Sequence, residues 1–453
     1  MRTRLLFLFA FVTFQMNAQC WSKISAGLYH SIAISDDGKL WAWGYNNSGQ
    51  LGDGTALDKN TPIQIGSDND WVAIGTGYYH SFGIKSNGTL WAWGYNYYGQ
   101  LGRGTNGNGT NQLVPTQIGT DTNWLSVTGG EYFSLAVKTN GTLWSTGKNT
   151  NGQLGINNLT DQNTFQQVGT DTDWGKIACG RSHSLALKSN GVLYLWGANG
   201  SGQLGLTHLV DRRVPTVYAS FVAFTEIAGG VSSSIAIKSD GKMYRAGYGC
   251  PIPGSTYTMA EYVVSPADWM SVKIGNNFVA ASKTDGSLWV IGNNDYGQFG
   301  NPSFNSSTTF LQPNLGSGWL LGADNIQVNS FSILALNSSR QLFGTGQNHV
   351  GQIGDSSLTQ RVNFTAVNCP FLLSNEEFKQ DNSISFFPNP ANEVVNIQMD
   401  SALKSAVLFN LQGQKIKTVT TKEVNISDLI SGVYMIRIED QQGRESIQKL
   451  IKK

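Results

Sequence analysis

The sequence is short of charge, and its few charges cancel. Only 13% of its 453 residues are charged, about half the usual share for a soluble domain. Its 31 Lys and Arg residues nearly balance 30 Asp and Glu residues, which leaves a net charge of +1. Because no field of one sign would attract nucleic acid or an anionic membrane, we expect neither as a partner.

Long apolar stretches are scarce, and the one candidate lies at the N-terminus. Residues 1–19 combine two arginines, an apolar run over 5–14 and small or polar residues near Ala18. This order is typical of a secretory signal peptide, and about ten apolar residues are too few to span a bilayer of roughly 30 Å. We expect cleavage near Ala18 or Gln19 and no transmembrane segment after it. Gln19 disfavours a lipoprotein anchor at Cys20, because lipoprotein signals carry a small residue there.

Glycine and aromatic residues, by contrast, are abundant. The chain has 53 Gly, 13 Trp, 16 Tyr and 21 Phe, and 40% of it is hydrophobic. Such a chain can bury a substantial core, which argues against disorder. High glycine with high aromatic content favours many short strands joined by tight turns.

Seven repeats of about 50 residues fill the region from Cys20 to Cys369. Their starts are Trp21, Trp71, Trp124, Trp174, Phe224, Trp269 and Trp319. In most repeats a short strand ends at a glycine, a second strand begins with His-Ser or a substitute, and Asp-Gly or Asn-Gly precedes a third strand. Asp-Gly and Asn-Gly suit a two-residue type I′ hairpin. A Gly-Gln-x-Gly loop and a fourth strand follow. Four short strands repeated seven times predict an all-β, seven-bladed β-propeller over 20–373.

The repeat motifs also indicate a family. Gly-x-x-His-Ser, Asp-Gly-x-Leu-Trp-x-Trp-Gly and Gly-Gln-Leu-Gly together resemble the repeat of the regulator of chromosome condensation family. Six of the seven repeats carry Gly-Gln-x-Gly. Kelch propellers have a similar period, but their tandem-glycine arrangement is not reproduced. Repeat 5 departs at 249–254 and repeat 7 replaces the turn glycine by Arg340, which we interpret as drift rather than function.

The C-terminal part differs in composition. A polar linker over 374–383 leads into 384–453, where tryptophan is absent and alternating apolar residues with turn signals at Gly413 and Gly443 predict a small β-sandwich. The stretch closely resembles the type A C-terminal sorting domain of the type IX secretion system of Bacteroidetes. Its motif residues are Pro388, Asn389, Pro390, Gly432, Val433 and Tyr434. The resemblance implies recognition by the type IX machinery, passage across the outer membrane and removal of the domain. A carbohydrate-binding or immunoglobulin-like module is the alternative.

Four cysteines allow three fully paired connectivities. Export to an oxidising compartment permits a bond, and a closed propeller would bring Cys20 and Cys369 together. We therefore predict a Cys20–Cys369 disulfide that staples the ring. Cys179 is predicted to be a buried free thiol, and Cys250, in the irregular loop of repeat 5, is a candidate for exposure.

The sequence offers no catalytic constellation. His30, His80 and His183 occupy a repeat position where Phe133 and Phe278 substitute, which favours a packing or hydrogen-bonding role. No Gly-x-Ser-x-Gly elbow, His-Glu-x-x-His motif or phosphate loop occurs. We expect no catalytic residue, no metal and no cofactor. The aspartates of segments such as 67–70 and 171–173 suit calcium in principle, but an inter-blade turn fits them better.

The turn after the first strand of each repeat carries the candidate binding residues. By analogy with related propellers of the family, these turns crowd one face of the disc. The candidates are Leu28, Tyr29, Tyr78, Tyr79, Glu131, Tyr132 and Arg181. Tyrosine with an occasional arginine is typical of a recognition surface for protein or sugar, although the rings would also serve simply to cover the blade tops. The plant ultraviolet receptor of this fold relies on clustered tryptophan, which these turns lack.

Three functions remain open from the sequence. The first is a monomeric, secreted or cell-surface binding and adhesion scaffold with an extracellular protein or glycan partner. The second is an exported enzyme with a site at the propeller centre, assembled from several blades. The third is guanine-nucleotide exchange on a small GTPase, as the eukaryotic namesake performs, which rests on fold analogy alone.

Overall fold

In a computed structural model the chain divides into two compact units, Met1–Pro370 and Phe371–Lys453. The structure describes residues 20–218, 222–252, 257–262, 267–313, 319, 325–369, 385–410, 415–442 and 445–453. The predicted signal peptide and linker lie outside these residues, and so do the turn signals at Gly413 and Gly443. All four remain predictions.

The first unit consists of seven four-stranded antiparallel sheets, each built from consecutive strands. Blades 1 and 2 comprise β1 Trp21–Ala26, β2 His30–Ser35, β3 Leu40–Gly44, β4 Lys59–Gln64, β5 Trp71–Thr76, β6 His80–Lys85, β7 Leu90–Gly94 and β8 Gln112–Gln117. Blades 3 and 4 comprise β9 Trp124–Gly129, β10 Phe133–Lys138, β11 Leu143–Gly147, β12 Gln162–Gln167, β13 Trp174–Cys179, β14 His183–Lys188, β15 Leu193–Gly197 and β16 Arg212–Val217. Blades 5 and 6 comprise β17 Phe224–Gly229, β18 Ser233–Lys238, β19 Met243–Gly247, β20 Ala260–Tyr262, β21 Trp269–Ile274, β22 Phe278–Lys283, β23 Leu288–Gly292 and β24 Ser307–Leu311. Blade 7 comprises β25 Ile326–Val328, β26 Ser332–Leu336, β27 Leu342–Gly346 and β28 Arg361–Val367.

The first strands of the blades form the innermost ring. Each first strand contacts the first strand of the next blade, from β1 and β5 through β21 and β25, and β1 in turn contacts β25. The ring is therefore closed, which confirms the predicted seven-bladed propeller. In blade 7, Trp319 forms only an isolated bridge with Asn337, so this blade starts less regularly than the others.

The hairpin between the second and third strands is not the predicted type I′ turn. In blade 1 the Gly38 N–H donates to the Ser35 carbonyl over 2.9 Å, and Gly38 has φ of 79°. Asp37 is not left-handed, whereas type I′ requires positive φ at both central residues. The loop is one residue longer than predicted, and only its last residue needs the left-handed conformation. Blade 7 places Arg340 there at φ of 57°.

Tryptophans pack inside the blades beside a lysine at the end of the second strand. The Trp71 ring lies 5.9 Å from that of Trp91, and the Lys85 ammonium lies 5.0 and 4.8 Å from the two ring centroids. Lys85 also reaches Asp68 over 2.6 Å and Asp70 over 3.2 Å. The carboxylates of the inter-blade turn thus hold the lysine that ends the second strand, and Lys188 takes the same place beside 171–173. These ion pairs engage the aspartate carboxylates that would serve as ligands in the calcium alternative.

The seam between blades 7 and 1 is closed by side chains and a covalent bond. Cys20 and Cys369 form a disulfide with their Cα atoms 5.9 Å apart, as predicted. The Trp43 indole donates to the Gln352 carbonyl over 3.1 Å across the same seam. Among the described residues each propeller sheet contains only consecutive strands, so the first and last blades exchange none. The chain-entropy model gives such a long loop up to about 6 kcal/mol of stabilisation.

The other two cysteines are free and partly buried. Burial raises the pKa of Cys179 above its ordinary value and that of Cys250 to about 11. Cys250 packs against the core shared by blades 5 and 6, so it is partly buried rather than fully exposed. The neighbouring Ile252 is fully buried, as Leu51 is in the Gly-Gln-Leu-Gly loop of blade 1, which supports drift of the loop sequence.

The second unit is a β-sandwich, as predicted. One sheet has the order β29-β30-β33 and the other β32-β31-β34-β35, with β29 Ser385–Phe387, β30 Val394–Gln398, β31 Leu403–Phe409, β32 Lys415–Val419, β33 Glu423–Asn425, β34 Gly432–Asp440 and β35 Glu445–Lys452. Residues of both sheets, such as Val395 and Ile436, share one core. Asn389 donates to the Lys449 carbonyl over 2.7 Å and accepts from the Ile451 N–H over 2.9 Å, which ties the Pro-Asn-Pro motif to β35.

Candidate functional site

Two loops of each blade meet on one face of the propeller. In blade 1 the Tyr45 N–H, after the third strand, donates to the carbonyl of Tyr29, in the turn after the first strand, over 2.9 Å. Tyr95 and Tyr79 repeat this bond at 2.9 Å in blade 2. Side chains that lie far apart in each repeat therefore come together at the same edge of the blade.

Backbone hydrogen bonds also join the turns of neighbouring blades. The Leu28 N–H donates to the Tyr78 carbonyl over 3.1 Å, and the Tyr78 N–H donates to Gly130 over 3.0 Å. The Glu131 N–H continues the series to the Arg181 carbonyl over 3.1 Å. The predicted candidates thus form one arc around the propeller mouth.

A cluster of eight tyrosines, here called the tyrosine face, covers blades 1 to 3. Its members are Tyr29, Tyr45, Tyr78, Tyr79, Tyr95, Tyr97, Tyr98 and Tyr132. Ring centroids lie between 4.9 Å for Tyr98 and Tyr132 and 6.5 Å for Tyr29 and Tyr45. His349 of blade 7 adds an edge contact 5.5 Å from Tyr29. Six of these rings form one network of contacts, and the contacting pair Tyr29 and Tyr45 lies beside it, since Tyr45 and Tyr79 line the same cavity.

Half of this cluster was missed from the sequence. The loops after the third strand contribute Tyr45, Tyr95, Tyr97 and Tyr98, whereas only the turns after the first strand were considered. The available signal was the Trp-Gly-Tyr-Asn sequence that both of the first two repeats carry after the third strand. Because Trp-Gly ends a strand, the next residue lies at the same edge as the preceding turn.

Two cavities adjoin the tyrosine face. The central cavity, about 680 Å³, is lined by the first strands of all seven blades. Six predicted residues line it: Leu28, Tyr29, Tyr78, Tyr79, Glu131 and Arg181. The second cavity, here called the tyrosine pocket, has about 250 Å³ and is lined by Tyr45, Ser48, Tyr79, Tyr95 and Tyr132. Tyr79 borders both cavities, and the seventh predicted residue, Tyr132, belongs to the pocket.

Two ion pairs join neighbouring blades in the central cavity. The Arg181 guanidinium contacts both carboxylate oxygens of Glu131, at 2.8 and 3.3 Å, which raises the pKa of Arg181. Lys176 pairs with Glu226 in the same way between blades 4 and 5. Burial, followed by the charge of Glu131, raises the pKa of Tyr132 to about 12. The phenol of Tyr132 is therefore neutral at physiological pH.

The three repeated histidines are structural, as predicted. His80 is fully buried, and its Nε2 lies 2.9 Å from the Ser134 hydroxyl of the next blade. Ser134 donates its own proton to the Gln100 carbonyl, so the histidine must supply the hydrogen between them. Burial lowers the pKa of His80 to about 3. A neutral, enclosed imidazole whose serine partner donates elsewhere is arranged to join blades rather than to activate a nucleophile.

Family models match most of the described chain. The RCC1-like domain matches residues 10–258, the regulator of chromosome condensation repeat matches 271–298, and the secretion system C-terminal sorting domain matches 385–453. The type IX sorting assignment of the C-terminal unit is thereby confirmed.

Individual relatives match this chain either at low identity or over short segments. The crystal structure of human WBSCR16 is similar with a TM-score of 0.64 at 22% identity, over 73% of this chain and 94% of that one, which shows the shared fold. The ultraviolet-B receptor UVR8 of Arabidopsis thaliana is 48% identical over 44 residues, and the mitochondrial RCC1 domain-containing protein RUG3 of the same plant is 36% identical over 44. Each match spans 10% of this chain and 10% of the plant protein.

Within the described residues, no helix has the length and apolarity needed to cross a bilayer.

Proposed function

The chain belongs to the RCC1-like domain family, and from this premise we propose that its propeller is an exported scaffold that binds a protein or glycan through the tyrosine face. The C-terminal sorting domain implies secretion or display on the outer surface of a Bacteroidetes-type bacterium. The partner is then a molecule met outside the cell.

The observation that carries this proposal is the contiguity of the tyrosine face. Tyrosine combines a large apolar ring with a hydroxyl, and ordering it costs little conformational entropy. The adjoining loops are rich in Asn, Ser and Gly, as in Tyr45–Gly49 and Tyr95–Gly99. Tyr, Ser, Gly and Asn are the residues enriched in antibody paratopes, where rigid rings supply area and small polar groups adapt.

The alternative, that the rings only cover the blade tops, is disfavoured by the remaining blades. The corresponding turns of blades 4 to 7 carry no tyrosine: they are 181–182, 231–232, 276–277 and 330–331. Blades 4, 6 and 7 keep the same hydrogen-bonded turn, since the N–H groups of Arg181, Asn276 and Ser330 donate to carbonyls of the next blade over 2.9 to 3.1 Å. Closing a blade therefore does not require a tyrosine at this position.

The two other hypotheses have less support. An enzyme at the centre would need reactive groups there, but Glu131 and Glu226 are each engaged by a cation. Nucleotide exchange on a GTPase still rests on family resemblance alone, and fold does not imply function.

The direct test is capture of ligands by the exported protein recovered from medium or cell surface. Alanine at Tyr29, Tyr78 and Tyr79 together should weaken capture on protein and glycan arrays at least tenfold, because several hot-spot rings are lost. Tyr248→Ala removes an exposed tyrosine from blade 5 and should leave capture unchanged.

Two results would contradict the proposal. Undiminished capture by the triple variant would move the site to another face, and recovery of full-length protein solely from the cytoplasm would overturn export. Folding of each variant is checked by its tryptophan fluorescence and thermal midpoint before capture is compared.

A further inference from the structure

The tyrosine pocket has the form of an aromatic cage. The ring centroids of Tyr79, Tyr95 and Tyr132 are mutually separated by 6.4, 5.7 and 6.3 Å. The rings of Tyr79 and Tyr132 are nearly parallel, with 21° between their planes, while Tyr95 is inclined to them by 71° and 52°. Tyr45 and Ser48 complete the lining.

Such a trio can attract one cation with several rings at once. Aromatic faces carry negative electrostatic potential, and a cation within about 6 Å of a ring centroid is held by it. The three centroids lie within 6.4 Å of one another, so a cation seated against them can come within that limit of each ring. A single cationic group at the pocket therefore lies within range of all three rings.

The protein already uses this cluster to hold a cation of its own. The Lys148 ammonium lies 4.9 Å from the Tyr98 ring centroid and 5.6 Å from that of Tyr132. Tyr98 and Tyr132 are themselves in contact, with centroids 4.9 Å apart. Rings beside the pocket thus already attract a cationic side chain of the same chain.

The lining of the pocket selects among cations. It consists of four phenols and one hydroxyl, with no carboxylate. A primary ammonium is compact and strongly hydrated, and this lining offers it no carboxylate to offset the hydration lost on binding. A quaternary ammonium has no N–H to satisfy and carries apolar methyl groups, which aromatic cages enclose. The volume of about 250 Å³ suits a small head group rather than a drug-sized ligand.

We propose that the tyrosine pocket binds a trimethylammonium group, as found in choline compounds, with Tyr79, Tyr95 and Tyr132 as the cage. The inference rests on the proposed binding function of the tyrosine face and names the chemistry of its ligand. Arg181 and Glu131 pair with each other beside the cage at the mouth of the central cavity.

The test compares two ligands of the same shape. Full-length protein is titrated calorimetrically with choline and with its uncharged isostere, in which carbon replaces the quaternary nitrogen. Because the cation–π attraction requires charge, choline should bind about tenfold or more tightly than the isostere. Equal binding of the two, or no binding of choline, would overturn the proposal.

Variants assign the binding to the pocket. Tyr132→Leu removes a ring and should weaken choline binding about tenfold, whereas Tyr132→Phe keeps the ring and should retain it. Tyr248→Leu is the matched control at an exposed tyrosine of blade 5. If Tyr132→Leu binds choline as the unaltered protein does, the assignment to this cage is wrong. Tyr132→Phe also guards against misfolding as the cause of a loss.

The source of the group and the wider function are separated by two further arms. Vesicles of phosphatidylcholine, with phosphatidylglycerol vesicles as control, report a lipid head group, and binding of choline without vesicle binding indicates a soluble or glycan-attached source. If the variant with alanine at Tyr29, Tyr78 and Tyr79 loses array capture while the unaltered protein does not bind choline, the trimethylammonium assignment is wrong and the proposed binding function stands. Retained capture in that variant would sink the proposed face itself.

Discussion

Blades 1 to 3 and blades 4 to 7 share one backbone design yet present different surfaces. Both arcs use the same four-stranded sheet, the same hairpin ending in a left-handed residue, which is glycine except for Arg340 in blade 7, and hydrogen bonds between neighbouring turns. The first arc carries the tyrosine face, whereas the second has no tyrosine in the turns after its first strands, although the loops after its third strands include Tyr248 and Tyr296. What repeats in both arcs is scaffold, and what one arc has alone is a candidate for function.

The same kind of buried contact between blades occurs in both arcs. His30 and His80 bond to serines within the first arc, and His183 bonds to Ser234 over 2.9 Å within the second. Burial lowers the pKa of His183 to about 4, close to the value of about 3 for His30. Ring closure therefore requires similar buried contacts in both arcs, whereas the surface residues can differ from blade to blade.

The largest effect on stability should come from removing the disulfide at the seam between blade 7 and blade 1. Replacing Cys20 and Cys369 by serine removes the disulfide between blade 7 and blade 1, and the chain-entropy model predicts a loss of up to about 6 kcal/mol in unfolding free energy. Urea unfolding followed by tryptophan fluorescence measures it. Cys179→Ser, at a free thiol, is the control. An unchanged midpoint in the double variant would mean that noncovalent seam contacts alone close the ring.

A smaller effect should follow from making one blade junction apolar. The folded pKa of His80, about 3, lies below its unfolded value of about 6.5, so its stability contribution is present above about pH 6.5 and falls as pH drops toward 3. Between about pH 7.5 and about pH 5 this costs roughly 2 kcal/mol per histidine. His80→Phe, the residue that blades 3 and 6 carry here, should remove that share of the acid sensitivity.

The pH comparison has an internal check. Ser134 keeps its hydrogen bond to the Gln100 carbonyl in the variant, so stability at neutral pH should change little. His30 and His183 remain and should preserve the rest of the acid dependence. If His80→Phe loses as much stability on acidification as the unaltered protein, this histidine is not the titrating group.

The smallest effect should mark the tyrosine face as surface. Tyr97 is 41% exposed, and Tyr97→Ala should change unfolding free energy by no more than about 0.5 kcal/mol. Trp93→Ala, at a fully buried ring of the same blade, should cost about 3 to 5 kcal/mol. A Tyr97 variant as destabilised as the Trp93 variant would make the tyrosine face part of the scaffold after all.

Periodicity predicted the scaffold well because the same packing problem recurs in every blade. The repeat starts at Trp21, Trp71 and the equivalent residues all begin first strands except Trp319, and the Cys20–Cys369 bond followed from closure of the ring. The hairpin prediction was wrong because Asp-Gly fits two kinds of turn. The hydrogen bond from Gly38 to Ser35 shows which one the strand register selects.

The amino-acid sequence by itself determined the number of blades, the export domain and the positions of the buried histidines, because each depends on local spacing and burial that every repeat expresses again. Only the tertiary structure decided which residues share the binding face. Tyr79 and Tyr95 are 16 positions apart, and Tyr132 belongs to another blade, yet their rings lie within 6.4 Å of one another. Pairing of the second with the third strand and closure of one blade on the next bring them together, and neither is written in the spacing of a single repeat.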